Sequence, residues 1–210
     1  FAASHQLVIE AAGQEALRDY AGRTLQSGRS LLVTSIGAFS DDAFFAGLSA
    51  LAEQGAGRLL LASGALPAVD WMASAALAGP CTASITQSKP VASWRGTPAE
   101  ALTKLDDLRA PTCFFAGTAR EAAQRLPKSS NITAMLALAT AGLNATRVHL
   151  VADPTSDEMH TLIEFASDAG RLKVDWTGVP SRLNQKTSAD VPLNVIKALR
   201  NLSGQVVLGP

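Results

Sequence analysis

The sequence predicts an α/β protein in which a parallel sheet wrapped by helices, incomplete at its N-terminal side, precedes a second α+β domain on a mostly antiparallel sheet. Three observations predict it. Over the first third of the chain, short apolar runs alternate with helical stretches. Each of those runs ends in small residues. After Asp70 the rhythm changes to longer strands joined by tight turns. Strands that are apolar throughout and joined by helices belong to parallel sheets covered on both faces.

The elements follow in order. Gln6 to Ala12 is a first strand, and Gly13 opens a helix over Gln14 to Gln26 that Gly28 closes. Ser30 to Ser35 is a second strand. Ser40 or Asp41 then caps a helix running to Gln54, stopped by Gly55 and Gly57. Arg58 to Ser63 is a third strand. A helix over Val69 to Leu77 leads to a strand over Cys81 to Lys89, cut by Pro90, and to a polar stretch containing Gly96, Pro98 and Pro111. A strand over Thr112 to Ala116 precedes Thr118-Ala-Arg-Glu121, the signature of a capping box, in which threonine and glutamate satisfy each other's backbone donors. That helix ends at Pro127, and a strongly apolar one covers Asn131 to Ala141 before Gly142. Arg147 to Asp153, His160 to Ser167 and Arg171 to Thr177 are strands, the last two joined by Asp168-Ala-Gly170. A final helix covers about Ser188 to Leu202, in which Pro192 must sit in the first turn or kink the helix. The expected organisation is therefore a parallel-sheet domain over 1–66, an α+β domain over 67–183, and a C-terminal helix over 184–210 that returns to the first domain.

Composition narrows the function classes. Hydrophobic residues make up 47% and charged residues 17%, the balance of a well-buried globular chain. Lysine plus arginine and aspartate plus glutamate are equal at 18 each, which leaves no electrostatic footprint for nucleic acid or an anionic membrane. The longest apolar runs are strand-sized, far too short to span a bilayer. Cys81 and Cys113 form no CxxC and adjoin no histidine, so neither a metal site nor a disulfide framework is expected, and a reducing cytoplasm is the simplest location. Phe1 is not an initiator methionine and no basic-then-apolar leader follows it, so the start reads as trimmed.

In open parallel sheets ligands sit at the carboxyl ends of the strands. Here those ends are Glu10-Ala11-Ala12-Gly13, Ser35-Ile36-Gly37-Ala38 and Ser63-Gly64-Ala65, small enough for a flat ring to lie against backbone. Other candidates carry two readings each. His149 sits inside an apolar strand, as a satisfied core residue would; His160 follows a polar loop at the threshold of a strand, where either a structural or a functional role fits; His5 lies in the ragged start. Asn131 is either a plain helix N-cap or a polar group meeting a ligand at a helix amino end. Lys89 and Lys128 are either solvated cations or holders of a carboxylate. Ser35 and Ser63 lack the GxSxG frame of a nucleophile, and Asp153 has no partner at metal-ligand spacing.

At these same positions the sequence resembles the L-aspartate dehydrogenase family. Glu10-Ala-Ala-Gly13, Ser35-Ile-Gly-Ala38, Ser63-Gly-Ala65 with Asp70, Lys89-Pro90, Gly96-Thr-Pro98, Phe115-Ala-Gly-Thr-Ala-Arg-Glu-Ala122, Pro127-Lys-Ser-Ser-Asn131, Val151-Ala-Asp-Pro154 and Asn184-Gln-Lys-Thr-Ser188 are similar, in order, to the family's motifs. The resemblance implies a homodimeric enzyme with a Rossmann domain and a second domain. Its cofactor is NAD or NADP, and it oxidises L-aspartate to iminoaspartate, which feeds NAD synthesis or hydrolyses to oxaloacetate and ammonia. It places the active-site histidine on His160 and cofactor contacts on Ala65 and Asn131. Ala11, Ala12, Gly13, Ser35, Gly37 and Ala38 join these as the strand ends facing the cofactor. Lys89, Lys128 and Lys186 are candidate holders of substrate carboxylates, and no metal is expected.

Three departures from the family pattern set further expectations. The opening strand and GxGxxG turn of the family lie outside this sequence, about 60 residues at ~30 per βαβ unit. A chain that began at Phe1 would lack the pyrophosphate site. Glu158 stands where the family has an asparagine two residues before the histidine. Facing the pocket it would repel a substrate carboxylate, which would favour another amino or imino acid. Ser129 and Gln185 replace an asparagine and a proline, loosening the expected substrate shell. A non-catalytic binding or assembly relative is the remaining alternative.

Overall fold

The computed structural model describes residues 6–55, 57–179, 181–182 and 187–209. Its first part is a three-stranded parallel sheet in the order β1 (Leu7–Glu10), β2 (Ser30–Val33), β3 (Leu59–Leu61). The central strand explains the apolar run in the sequence: Leu31, Leu32 and Val33 are buried from both sides. Helix α1 (Gln14–Gln26) lays Leu17, Ala21 and Leu25, spaced one turn apart, against the sheet. Gly13, at the amino end of α1, has a φ of 108°, a conformation that side-chain-bearing residues rarely adopt. Helix α2 (Asp42–Gln54) is capped as expected by Asp41, whose carboxylate accepts the Phe44 N–H at 3.1 Å. Between β2 and α2 the chain makes a tight 3-10 turn, Ile36–Ser40, whose first four residues are buried.

The second part begins with α3 (Val69–Ala76) and is built on a five-stranded sheet in the order β5-β6-β4-β7-β8. These strands are β4 (Thr82–Pro90), β5 (Thr112–Thr118), β6 (Arg147–Asp153), β7 (Met159–Ser167) and β8 (Gly170–Gly178). Only the β4–β6 pairing is parallel, so the sheet is mostly antiparallel as the sequence predicts. Two short helices, α4 (Val91–Trp94) and α5 (Ala99–Leu102), occupy the stretch expected to be a polar loop. Trp94 accounts for this: it is fully buried, and its indole N–H donates to the Val151 carbonyl at 3.0 Å. Helix α6 (Ala119–Arg125) carries the predicted capping box of Thr118 and Glu121. Helix α7 (Asn131–Ala139) stops two residues short of the expected end, and α8 (Val191–Ser203) starts at Val191 rather than Ser188, with Pro192 in its first turn.

Strand alternation divides the large sheet into two faces. The inner face carries Ala83, Ile85 and Gln87 of β4, Val148, Leu150 and Ala152 of β6, and Thr161, Ile163 and Phe165 of β7, all buried. The outer face carries half-buried or exposed residues, among them Ser84, Thr86, His149, Val151, His160, Leu162 and Asp175.

Candidate functional site

Glu10 organises the carboxyl ends of the small sheet. Its side chain is fully buried at the end of β1. Oε1 accepts the backbone N–H groups of Ala12 and Gly13, both at 2.9 Å, and the Ser35 hydroxyl at 2.9 Å. Oε2 accepts the N–H groups of Thr34 at 3.1 Å and Ser35 at 2.8 Å. One carboxylate thus ties the loop after β1 to the loop after β2. Ordered donors of this kind are what a buried carboxylate needs in place of water.

The 3-10 turn then meets the second part of the chain. The Gly37 N–H donates to Asn131 Oδ1 at 3.0 Å. A Cβ on Gly37 would lie 2.2 Å from Ser130 Oγ and 2.5 Å from Gln14 Nε2, so only glycine permits this approach. Gln14 in turn donates to the Pro127 carbonyl at 2.8 Å. Arg120 donates to the Ser40 carbonyl at 2.6 Å, to Asp42 at 3.0 Å and to Asn144 at 2.6 Å. From the other end of the chain, Asn194 of α8 accepts the Gly64 N–H at 3.2 Å and donates to Ser63 Oγ at 2.6 Å. The last helix therefore lies against the end of β3.

These contacts frame a cleft of about 750 Å³ between the strand ends of the small sheet, the amino end of α7, the inner face of β4, β7 and β8, and helix α8. That size suits a dinucleotide's reactive end together with a small substrate. Of the sequence candidates, Ala11, Ala12, Gly13, Ser35, Ala65, Asn131, Lys89 and Lys128 line it. Gly37 and Ala38 lie behind the lining, buried in the 3-10 turn, where Gly37 holds Asn131 in place. Asn131 is the first residue of α7 rather than its cap: Ser130 occupies the cap position, and the Asn131 carbonyl oxygen is spent on Gly37. Lys186 lies outside the described residues.

His160 is placed differently. It is the second residue of β7, and its neighbours Met159 and Thr161 face the cleft while its own ring lies on the outer face. There its Nε2 sits 2.5 Å from Asp175 Oδ1. Glu158 is also outside the cleft, exposed, with its N–H donating to Ser156 Oγ at 3.1 Å, so the expected repulsion of a substrate carboxylate does not arise within this chain.

Among the cleft residues that escaped the sequence reading, Gln87, Thr161 and Trp176 form one row across β4, β7 and β8. The signal was available, since Gln87 shares the two-residue period of Lys89. Among the described residues, the charged side chains lining the cleft are Lys89 and Lys128, and no carboxylate lines it. Lys128 is exposed, whereas Lys89 is half-buried, with its Nζ 4.9 Å from the centre of the Trp94 ring. Burial pulls the Lys89 pKa down to about 8. A cationic cleft walled by small strand ends can hold an anionic substrate beside a flat cofactor ring. The Glu10-ordered loops, the close approach at Gly37 and the lining alanines and glycines fit such a ring.

Comparison with known proteins agrees with this geometry. Residues 70–202 match the family model described as aspartate dehydrogenase, C-terminal, and residues 1–62 match that of the homoserine dehydrogenase NAD binding domain. The chain is 40% identical over 195 residues to an L-aspartate dehydrogenase of Ralstonia pickettii, covering 93% of this chain and 73% of that protein. It is 39% identical over 195 residues to an L-aspartate dehydrogenase of Acinetobacter baylyi, covering 92% and 74%. The fold matches the crystal structure of aspartate dehydrogenase from Thermotoga maritima with a TM-score of 0.79 at 22% identity, over 97% of this chain and 78% of that one.

Proposed function

The chain belongs to the aspartate dehydrogenase family, and on that premise we propose that it catalyses the NAD(P)-dependent oxidation of L-aspartate to iminoaspartate. The observation that carries this reading is the cleft itself: among the described residues, lysines line it and carboxylates do not, and the small-residue strand ends of a nucleotide-type sheet form its opposite wall. A dicarboxylate is the substrate class such a lining favours. In balanced form, the Cα–H bond of aspartate breaks with its electron pair, the amine loses a proton, and a C=N bond forms. The nicotinamide, when bound, takes up the hydride. Ala11, Ala12, Gly13, Ser35 and Ala65 would hold the ring side, and Asn131, fixed by Gly37, would meet a polar edge of it. Lys128 and Lys89 would hold substrate carboxylates; Lys186 joins them on the strength of its motif. The iminoaspartate released would hydrolyse to oxaloacetate and ammonia or enter NAD synthesis.

The family matches over 1–62 and 70–202 support a division into a dinucleotide-binding domain (1–66), a catalytic and dimerisation domain (67–183) and a returning C-terminal helix. The open outer face of the large sheet supports a homodimer, which light scattering would register as twice the monomer mass. Free Cys81 and Cys113 are compatible with a cytoplasmic location, and no helix among the described residues is long and apolar enough to cross a membrane. The deciding experiment is an absorbance assay of NADH or NADPH formation over a panel of amino acids. L-Aspartate is the expected best substrate by at least tenfold in kcat/KM. A different amino acid in first place would move the reading to another CH–NH2 substrate, and no turnover on any would favour a binding or assembly role. His160 enters this proposal through its motif as the acid/base group. Its ring lies on the far side of the sheet from the cleft.

A further inference from the structure

We infer that Gln87 reads the side-chain carboxylate of the substrate, its amide donating a hydrogen bond to one carboxylate oxygen; the assignment rests on the aspartate-oxidation reading above. Gln87 is 2% exposed and lies on the inner face of β4, where Ala83 and Ile85 precede it as core residues. Its Nε2 is buried and has no hydrogen-bond partner among the described residues. A buried N–H left unpaired costs stability, and folded proteins rarely keep one without a use. This one belongs to a residue that lines the cleft. Ser188 is a second such residue: it is 8% exposed, its Oγ also lacks a partner among the described residues, and it lines the same cleft.

The place of Gln87 in the cleft selects the group it meets. Nε2 is a donor only, so its partner is an acceptor. The strand ends of the small sheet and Asn131, assigned above to the nicotinamide, form the opposite wall. Hydride leaves Cα toward that wall, so the substituents that point away from the ring meet β4, β7 and β8. Gln87 pairs with Thr161, and Thr161 with Trp176, a row that forms the floor there. Ser188 Oγ sits over the next row: Gly178 is paired with Met159, and a Cβ on Gly178 would lie 3.2 Å from that oxygen. Lys89, two residues after Gln87 on the same face, stands roughly 7 Å along the strand. A carboxylate between them receives a charged partner from the half-buried lysine and a neutral donor from the deeper glutamine. The chemistry suits the depth. An amide can be buried completely, whereas a third cation beside Lys89 and Lys128 would add repulsion and a desolvation cost. A substrate with a methyl group in place of this carboxylate leaves Nε2 unpaired, and a site built this way rejects it.

The test uses Gln87→Leu and Gln87→Glu in the full-length protein. Leucine is of similar size and removes the donor. Because Nε2 has no bond to lose among the described residues, the ligand-free Tm should stay level or rise. KM for L-aspartate should rise roughly 10- to 100-fold, as expected for a lost hydrogen bond to a charged group. The kcat and the KM for NAD(P) should stay within about threefold, the pattern of a contact that binds substrate and transition state alike. Gln87→Glu sets a carboxylate against a carboxylate and should lose more. A readout independent of turnover is the Tm rise produced by L-malate, a dicarboxylate without the amine, in the presence of oxidised cofactor. It should appear in the wild type and largely vanish in Gln87→Leu. Three results overturn the inference. A Tm several degrees lower in Gln87→Leu, with kcat falling alongside, would mark Gln87 as structural. A raised KM for NAD(P) in place of aspartate would move its amide to the cofactor. An unchanged KM for aspartate would leave it without a ligand. Absence of aspartate turnover in the wild type would instead overturn the substrate reading, and a malate-induced Tm rise that depends on Gln87 would still tie the amide to a dicarboxylate.

Discussion

Replacing Glu10 with alanine removes the acceptor for donors on two loops at once, and the structure allows the cost to be worked out. Thr34 N–H retains a second acceptor, the Glu10 backbone carbonyl at 3.2 Å. Ala12 and Gly13 are exposed or half-exposed, so their N–H groups can turn to water. Ser35 is buried, and both its N–H and its hydroxyl lose their partner. Leaving a buried donor unpaired costs about 1–3 kcal/mol, and with the vacated side-chain volume the expected total is about 3 kcal/mol. Glu10→Gln is the sharper variant. Its amide supplies one acceptor oxygen, but its nitrogen must point at donors, so a loss of about 2 kcal/mol is expected rather than the near-neutral outcome of an isosteric swap. Urea unfolding followed by circular dichroism gives both values through the midpoint and slope. In the folded variants, KM for NAD(P) should rise more than kcat falls, because the loops that Glu10 orders line the cleft without meeting the reacting carbon. A loss below about 0.5 kcal/mol in Glu10→Ala, within the range of an ordinary surface change, would refute the idea that this carboxylate organises the strand ends.

Three further substitutions have outcomes set by the same structure. Gly37→Ala meets no backbone strain, but its Cβ would press on Ser130 Oγ, itself bonded to the Pro127 carbonyl at 2.8 Å. A stability loss of about 1–3 kcal/mol is expected, with a weakened cofactor KM, measured by urea melts and steady-state kinetics. Lys89→Met should raise stability at pH 7 by about 2 kcal/mol, somewhat less than a shift from 10.5 to about 8 implies because the side chain is partly open to water. The sign follows from linkage: between pH 8 and 10.5 the unfolded chain binds the proton that the folded chain has lost, so wild-type stability rises across that window and the variant's advantage shrinks. Melts at pH 7 and pH 10 check this. Asn194→Ala removes the bonds to Ser63 and Gly64; amide exchange of α8 should accelerate about fivefold, the rate equivalent of ~1 kcal/mol for one net hydrogen bond.

How far the site was legible in the sequence depends on the range of the interaction that fixes each residue. The strand ends, the Asp41 cap and the Thr118–Glu121 box are local, and spacing alone places them. For Asn131 the local reading offers a cap, the usual option for asparagine before an apolar helix, beside a ligand-meeting role. Its actual partner, Gly37, is 94 residues away, and no periodicity reports that distance. Glu10 shows an intermediate case: a carboxylate ending an apolar strand must be paired, yet the identity of its donors depends on β2 lying alongside. His160 and Lys89 were separable by parity. In a strand a shift of one residue moves a side chain to the other face. Starting β7 at His160 hides that His160 shares its parity with Leu162 and exposed Glu164, while Met159, Thr161, Ile163 and Phe165 form the buried set. On β4 the buried set is Ala83, Ile85 and Gln87, and the next member is Lys89. The same two-residue rule that turns the His160 ring away from the cleft in this chain turns the Lys89 side chain into it.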